Sequence, residues 1–229
     1  MDETIHIYID ALLKTDTHTL LVTKKRLWPS IIASLRWLFN RPISGNTLIQ
    51  NGLGLLMINN LAIAVEGFIT DVLVEYLDTN ELEKSDRIKN IESSSWKSKI
   101  KAYNKVFPNS LDKCVSYRSI ELLFFLRNNT AHGLTHREKN TTEIATAKKS
   151  KIESIDKNYQ KAREFFNEIG RIKATELSSN IETLWGINNC YFFLSEVRLF
   201  LHSVLENNKS EKFIGITSEL NNAFKMTII

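Results

Sequence analysis

The segment Glu121-Leu-Leu-Phe-Phe-Leu-Arg-Asn-Asn-Thr-Ala-His-Gly133 is an apolar run that ends in an arginine, two asparagines, a histidine and a glycine. Its apolar residues have helical spacing, and separations of three and four positions define one stripe: Tyr117, Ile120, Phe124, Arg127 and Ala131. A guanidinium on such a stripe is costly to bury unless an anion lies against it. Arg127 is therefore the residue of this run that needs an explanation.

His132 follows Arg127 by five residues, which places the two side chains about 140° apart around an ideal helix. They cannot share one helix face. They can serve one site if the helix ends near Gly133, since glycine is common just beyond helix ends. They can also do so if two copies of the segment face each other across a dimer axis.

The sequence Arg127-Asn-Asn-Thr-Ala-His132 resembles the signature of the HEPN family (higher eukaryotes and prokaryotes nucleotide-binding domains). That signature is an arginine, commonly followed by asparagine, and then a histidine after a short gap. The preceding run Leu122–Leu126 and the trailing Gly133 are also similar to the family. Specific resemblance is confined to this motif, and a looser resemblance extends over residues 53–205.

The resemblance implies an all-α helical bundle that forms a homodimer and cleaves RNA without a metal ion, as a toxin or a phage-defence endoribonuclease. In that family the 2′-OH of RNA is thought to attack the adjacent phosphorus at a site shared by two subunits. Carried over to this chain, Arg127 would stabilise the transition state, His132 would handle protons and Asn128 would position the phosphate. RNA would then be the substrate, and an antitoxin or another regulatory protein could be a partner.

The residue types suit this chemistry. Histidine has an unperturbed pKa of about 6.5, which suits proton transfer near neutral pH. Arginine presents a planar fork of donors that matches phosphate oxygens. Three alternatives stay open. Arg127 is a structural arginine paired with Glu66 or with a carboxylate of the C-terminal helix; the chain is a basic RNA-binding helical protein without chemistry, which ranks lower because aromatic residues are not interleaved with its lysine-rich runs; or the chain is a non-catalytic HEPN-like module. Such a module would dimerise and bind a nucleotide or a protein partner.

Glu66 lies on a long predicted helix beside a core-facing stripe formed by Ile58, Leu61, Val65, Phe68 and Val72. HEPN proteins commonly carry an acidic residue in the corresponding helix, where it can brace the signature arginine. On the sequence alone we prefer the plainer interpretation, a surface carboxylate at the edge of the stripe.

Composition favours a soluble, all-α protein. Eight glycines and three prolines in 229 residues leave few helix breakers, and the two cysteines, Cys114 and Cys190, show no metal-ligand spacing. His132 and His136 are four residues apart, but the lack of an acidic residue between them disfavours zinc. We therefore expect no metal and no cofactor. A cytoplasmic location is expected as well, because the charged residues in the most apolar window argue against a membrane span.

Breaker residues divide the chain into an N-terminal extension (1–46), a HEPN-like helical domain (47–206) with a charged helical insertion (137–180), and a C-terminal tail (207–229). The tail is expected to dock on the body or on a partner. Helical spacing predicts helices at 28–39, 47–77, 96–106, from Leu111 or Asp112 onward, and at 181–205.

The N-terminus is ambiguous. Thr4–Asp10 alternates apolar and polar residues like a strand, and Thr19–Thr23 could pair with it in a small hairpin. The same segment could instead start a helix at Ile9–Leu13.

Residues 84–105 form the most basic stretch of the chain, with seven lysines and arginines against Asp86 and Glu92. A charge run is usually a solvated face, but this one precedes the signature and could follow a phosphate backbone. Regulation by modification of a tyrosine, as in some HEPN toxins, is not expected, because Leu134 occupies the corresponding position.

Overall fold

The computed structural model describes residues 8–14, 19–24, 26–41, 47–77, 90–91, 93–131, 164 and 187–225. These residues form two strands, β1 (Tyr8–Lys14) and β2 (Thr19–Lys24), and six long helices: α1 (Trp28–Phe39), α2 (Thr47–Leu77), α3 (Trp96–Val106), α4 (Tyr117–Ala131), α5 (Ile187–Asn207) and α6 (Ile214–Lys225). The described part is mostly helical, in agreement with the all-α prediction.

β1 and β2 pair in antiparallel orientation, from Tyr8 opposite Lys24 to Lys14 opposite Thr19, with a register shift between Ile9 and Ala11. The hairpin is therefore the alternative that the N-terminal segment adopts. Only Tyr8–Asp10 of the predicted strand Thr4–Asp10 is described, and β1 continues beyond it to Lys14, whereas β2 begins at the predicted Thr19 and ends one residue later than predicted, at Lys24.

α1 begins as predicted at Trp28, with Pro29 in the first turn, where its missing N–H leaves no helical hydrogen bond unmade. The Trp28 ring meets the edge of Phe68 on α2 at a centroid distance of 5.1 Å. A methyl group at Gly67 would lie 3.5 Å from the Trp28 side chain, so the two helices are already in close contact. The predicted bounds of α1 are confirmed.

α2 is the central helix of the bundle. It packs against α1, α3, α4 and α5, and its predicted stripe at 58, 61, 65, 68 and 72 is fully buried. The part of α2 from Gly52 to Leu77 is long and apolar enough to cross a membrane. Its burial among four helices gives a sufficient reason for this apolar composition, since the core helix of a soluble protein has the same character.

α4 begins later than predicted. The sequence placed its start at Leu111 or Asp112, but these residues belong to a short 3-10 turn and the helix starts at Tyr117. Ser116 has a φ of 64°, a left-handed conformation that interrupts the helix. The N–H of Val115 donates to the Ser203 hydroxyl on α5 at 3.0 Å, so a tertiary contact holds the break in place.

α5 extends two residues beyond its predicted end at Leu205, and its predicted start at Ile181 lies outside the described residues. α6 packs on α1 and α5, and Arg36 donates to the carbonyl of Ala223 at 2.9 Å. Helices from the predicted extension and from the predicted tail therefore share one core with α2. The predicted insertion lies outside the described residues apart from Glu164, which is helical and exposed.

A buried arginine joins α2 and α6 at the start of α1. Arg26, whose side chain is 4% exposed, contacts Glu75 at 2.8 Å, Glu219 at 2.9 Å and Asp71 at 3.6 Å. The indole N–H of Trp28 donates to Asp71 at 2.8 Å. Burial alone would lower the pKa of Arg26, but the hydrogen bond to Glu219 and the three negative charges raise it.

Replacing this arginine should loosen the contact between α6 and α2. We expect Arg26→Ala to lower the free energy of unfolding by roughly 3 kcal/mol, because it leaves carboxylates partly buried without their cation. Urea denaturation gives this value. Arg41→Ala is the control, since Arg41 is exposed beside Trp37 and its loss should cost less than about 1 kcal/mol. Equal urea midpoints for the two variants would contradict a stabilising role for Arg26.

Candidate active site

The signature arginine lies near the end of α4, against α2. The predicted stripe is confirmed where it is described, because Ile120 and Phe124 are buried and Arg127 continues the same face. The Nη2 atom of Arg127 lies 3.6 Å from the Oε2 atom of Glu66. The Arg127 side chain is 30% exposed, so it combines an anionic partner inside the fold with access to solvent.

Glu66 also contacts a second cation. The Nζ atom of Lys99 on α3 lies 3.5 Å from the Oε1 atom of Glu66 and donates to the carbonyl of Ser94 at 2.9 Å. The Lys99 side chain is 4% exposed, whereas that of Glu66 is 19% exposed. Each carboxylate oxygen of Glu66 therefore faces a different cation, and α2, α3 and α4 meet at this group.

The preferred prediction for Glu66 was a surface carboxylate at the edge of the stripe, whereas its side chain is only 19% exposed and contacts two cations. The alternative, a carboxylate that braces Arg127, matches the observed contact. The sequence did not identify Lys99 as part of the site, although a signal was present. Lys99 has helical spacing with the inward-facing Trp96 and Tyr103, a position where a lysine needs a buried partner.

The contacts of Glu66 with the two cations are long. Both cation–carboxylate distances exceed the roughly 2.7–2.9 Å typical of a charge-assisted hydrogen bond. The contacts are therefore mainly electrostatic.

Two aromatic rings support the guanidinium. The Cζ atom of Arg127 lies 5.9 Å from the centroid of the Phe124 ring, within the range of a cation–π contact. Phe124 stacks on Trp96, the first residue of α3, with centroids 4.1 Å apart and ring planes 4° from parallel. This stack restricts where the guanidinium can lie and joins α3 to α4 at the site.

Of the other predicted site residues, the structure describes Asn128 but not His132. Asn128 follows Arg127 on α4 and is exposed, so its amide is open to a ligand. His132 follows the last residue of α4 in sequence and lies outside the described residues, as does His136. The structure therefore brings Arg127 together with Glu66 and leaves the distance from Arg127 to His132 undetermined.

Other reactive groups of the described part do not form a second site. Burial raises the pKa of the Cys190 thiol to about 12, and burial also raises that of Cys114. Both thiols stay protonated at neutral pH, which is the wrong state for a nucleophile. Among the described residues, no cluster of three or more His, Cys, Asp or Glu side chains is arranged to hold a metal ion.

The contact between Glu66 and Lys99 can be tested by a double-mutant cycle. We expect Glu66→Gln to lower the free energy of unfolding by roughly 2 kcal/mol, because it leaves the buried Lys99 ammonium without its carboxylate. Adding Lys99→Met should recover part of this loss, since the unpaired charge is then gone. Urea denaturation measures both variants, and Glu211→Gln at an exposed position is the control. A Lys99→Met change that deepens the loss caused by Glu66→Gln would contradict the pairing.

Comparison with known proteins gives no relative. No protein-family model matches the chain, no curated protein matches it, and no solved structure matches it. The resemblance to the HEPN signature therefore rests on the residues from Arg127 to His132 and stays a hypothesis.

Proposed function

We propose that this chain is a metal-independent endoribonuclease of the toxin or phage-defence type, active as a homodimer. The observation that carries the proposal is the environment of Arg127. Its guanidinium is held by Glu66 and by the ring of Phe124, yet 30% of the side chain is open to solvent beside the exposed Asn128. A fixed and accessible guanidinium is suited to a phosphate that gains negative charge during reaction.

The proposed reaction uses the substrate's own nucleophile. A base removes the proton of the ribose 2′-OH, the 2′ oxygen bonds to the adjacent phosphorus, and the bond from phosphorus to the 5′ oxygen breaks. The leaving oxygen takes a proton from an acid, so the products are a 2′,3′-cyclic phosphate and a 5′-OH. His132 is assigned the proton transfers, Arg127 the charge on the phosphorane, and Asn128 the orientation of the phosphate.

A dimer is part of the proposal because of helix geometry. On an ideal helix residues five apart are separated by about 140°, so a second copy is proposed as the source of the histidine that serves Arg127. A two-fold axis near the end of α4 would bring both residue types of two copies around one phosphate. Exposure of Asn128 is compatible with a site at a subunit boundary.

RNA cleavage in the presence of EDTA tests the activity. We expect Arg127→Ala and His132→Ala each to reduce the rate by about 10²–10⁴-fold, the contribution typical of such groups. Gel electrophoresis of labelled RNA gives the rate, and resistance of the new 3′ end to alkaline phosphatase until acid opens the ring identifies the cyclic phosphate. Arg118→Ala, at an exposed position of the same helix, and His202→Ala on α5 are the matched controls. Cleavage that needs added metal, or that survives both site substitutions, would refute the assignment.

A mixing experiment tests the shared site. Copies carrying Arg127→Ala and copies carrying His132→Ala should each be inactive alone, and refolding them together should restore measurable cleavage. Restoration is expected because a mixed dimer still has one intact arginine and one intact histidine at the subunit boundary. Light scattering determines the mass of each sample. Dimers that exchange subunits without regaining activity would show that the site is not composite.

The second candidate function is a non-catalytic module that dimerises and binds a nucleotide or a protein. The ion pair between Arg127 and Glu66 favours it, because a purely structural arginine would make the same contact. The substitution Arg127→Lys distinguishes the ribonuclease from the non-catalytic module. Lysine keeps the charge beside Glu66 but lacks the planar fork, so an enzyme should lose roughly 10²-fold in rate with little change in unfolding free energy. A module would cleave no RNA in either form.

A further inference from the structure

The basic stretch at residues 84–105 is not uniform in the structure. Lys84, Arg87 and Lys89 lie outside the described residues, and Lys99 is buried against Glu66. The remaining three lysines, Lys97, Lys101 and Lys105, are all on α3 and all exposed. Only these three are described as open to a ligand.

These three lysines form a row. Each is four residues from the next, which corresponds to about 6 Å along the helix axis and keeps them on one side of α3. That side lies opposite Lys99, which points toward α2. The row therefore covers the outer face of α3 from its first turn to its last.

Among the described residues, no carboxylate pairs with these three lysines. Residues 93–111 contain no aspartate or glutamate, and none of the three lysines has an ion pair with a residue of the described part. The outer face also carries Ser98 and Asn104, both exposed. A stable surface helix commonly carries both signs of charge. In a row of like charges the lysines repel each other, and a bound anion would remove that repulsion.

The row begins one residue after Trp96, which is connected to Arg127 through the ring of Phe124. Lys97 follows Trp96, and the Trp96 ring stacks on Phe124, the ring that lies below Arg127. Lys101 and Lys105 then lead away from the site along α3. An extended polyanion with one phosphate at Arg127 could continue along this face.

The chemistry of the face distinguishes between anionic partners. Membrane-surface helices place apolar or aromatic side chains beside their lysines, whereas the exposed residues of α3 are all polar: Lys97, Ser98, Lys101, Asn104 and Lys105. Hydroxyl and amide groups between cations are typical of contacts to a phosphate backbone. A single row of lysines on one helix can follow the phosphates of one nucleic-acid strand.

We propose that Lys97, Lys101 and Lys105 bind the backbone phosphates of single-stranded RNA and guide the strand to Arg127. This inference extends the proposed ribonuclease function and rests on it for the identity of the site at Arg127. The lysines are positioning residues, because they do not touch the reacting atoms. Each contributes through the counterions that its phosphate contact releases.

The size of the effect follows from counterion release. For single strands, each phosphate neutralised contributes about 0.7 to the slope of log affinity against log salt concentration. Replacing three lysines by glutamine should reduce that slope by about 2, and affinity at 0.1 M salt should fall roughly a hundredfold. The fold should be retained, since exposed charges contribute little to stability.

The experiment compares Lys97→Gln/Lys101→Gln/Lys105→Gln with Lys113→Gln/Lys209→Gln/Lys225→Gln, a control that removes three exposed lysines elsewhere. Both sets are made in His132→Ala protein, so that the RNA stays intact. Fluorescence anisotropy with a labelled single-stranded RNA gives Kd at several salt concentrations. The α3 variant should show the reduced slope, and the control should keep the original one.

A second measurement uses protein that retains His132. It distinguishes an effect on RNA binding from an effect on the cleavage step. The α3 variant should cleave long RNA with a higher KM and an unchanged kcat, and it should cleave a dinucleotide as the parent protein does. A reduced kcat on the dinucleotide would overturn a role limited to guidance.

The outcomes separate the two proposals. RNA binding with the expected loss of slope, but without cleavage, supports the lysine row and refutes the ribonuclease. Cleavage with equal salt slopes for the two triple variants refutes the row alone. No binding of RNA at any salt concentration refutes both, and a row that binds acidic peptides in place of RNA likewise overturns the inference.

Discussion

The carboxylate of Glu66 is the group on which the arrangement of α2, α3 and α4 at the candidate site depends. It faces Lys99 with one oxygen and Arg127 with the other. Burying a lysine without an anion is strongly unfavourable, so α3 can lie against α2 only where a carboxylate is available. The same carboxylate fixes how far Arg127 can withdraw into the bundle. One side chain therefore sets both the packing of three helices and the exposure of the signature arginine.

A second charge cluster on α2 has the opposite composition. At Arg26, one cation meets three carboxylates, two from α2 and Glu219 from α6, whereas at Glu66 one carboxylate meets two cations. The core helix thus carries two charge clusters of different composition. The cluster at Arg26 joins the segment before α1 to α6, so its role is explained by packing. The cluster at Glu66 includes the partly exposed Arg127, which precedes the exposed Asn128, and packing does not explain that exposure.

Sequence reasoning predicted the bounds of α1 and the approximate bounds of α3, because local signals define their ends. Pro29 marks one start, and the Ser95 side chain caps another by accepting from the N–H of Ser98. Where contacts between helices determine a helix start or a side-chain partner, the sequence alone did not predict it. The start of α4 depends on a left-handed Ser116 beside a hydrogen bond from α5, and the role of Glu66 depends on which helices cross there. Hydrophobic periodicity predicts which face of a helix is buried, but it does not predict which other helix packs against that face.

The presence of Lys99 changes what the pair of Arg127 and Glu66 can do. A carboxylate beside an arginine orients the guanidinium, but it also cancels the charge that would attract a phosphate. Lys99 lies on the other carboxylate oxygen, so Glu66 is shared between a buried cation and a partly exposed one while Arg127 remains held. The guanidinium is then positioned before any ligand arrives, and less ordering is required on binding. The buried lysine thus helps to fix the carboxylate that orients Arg127.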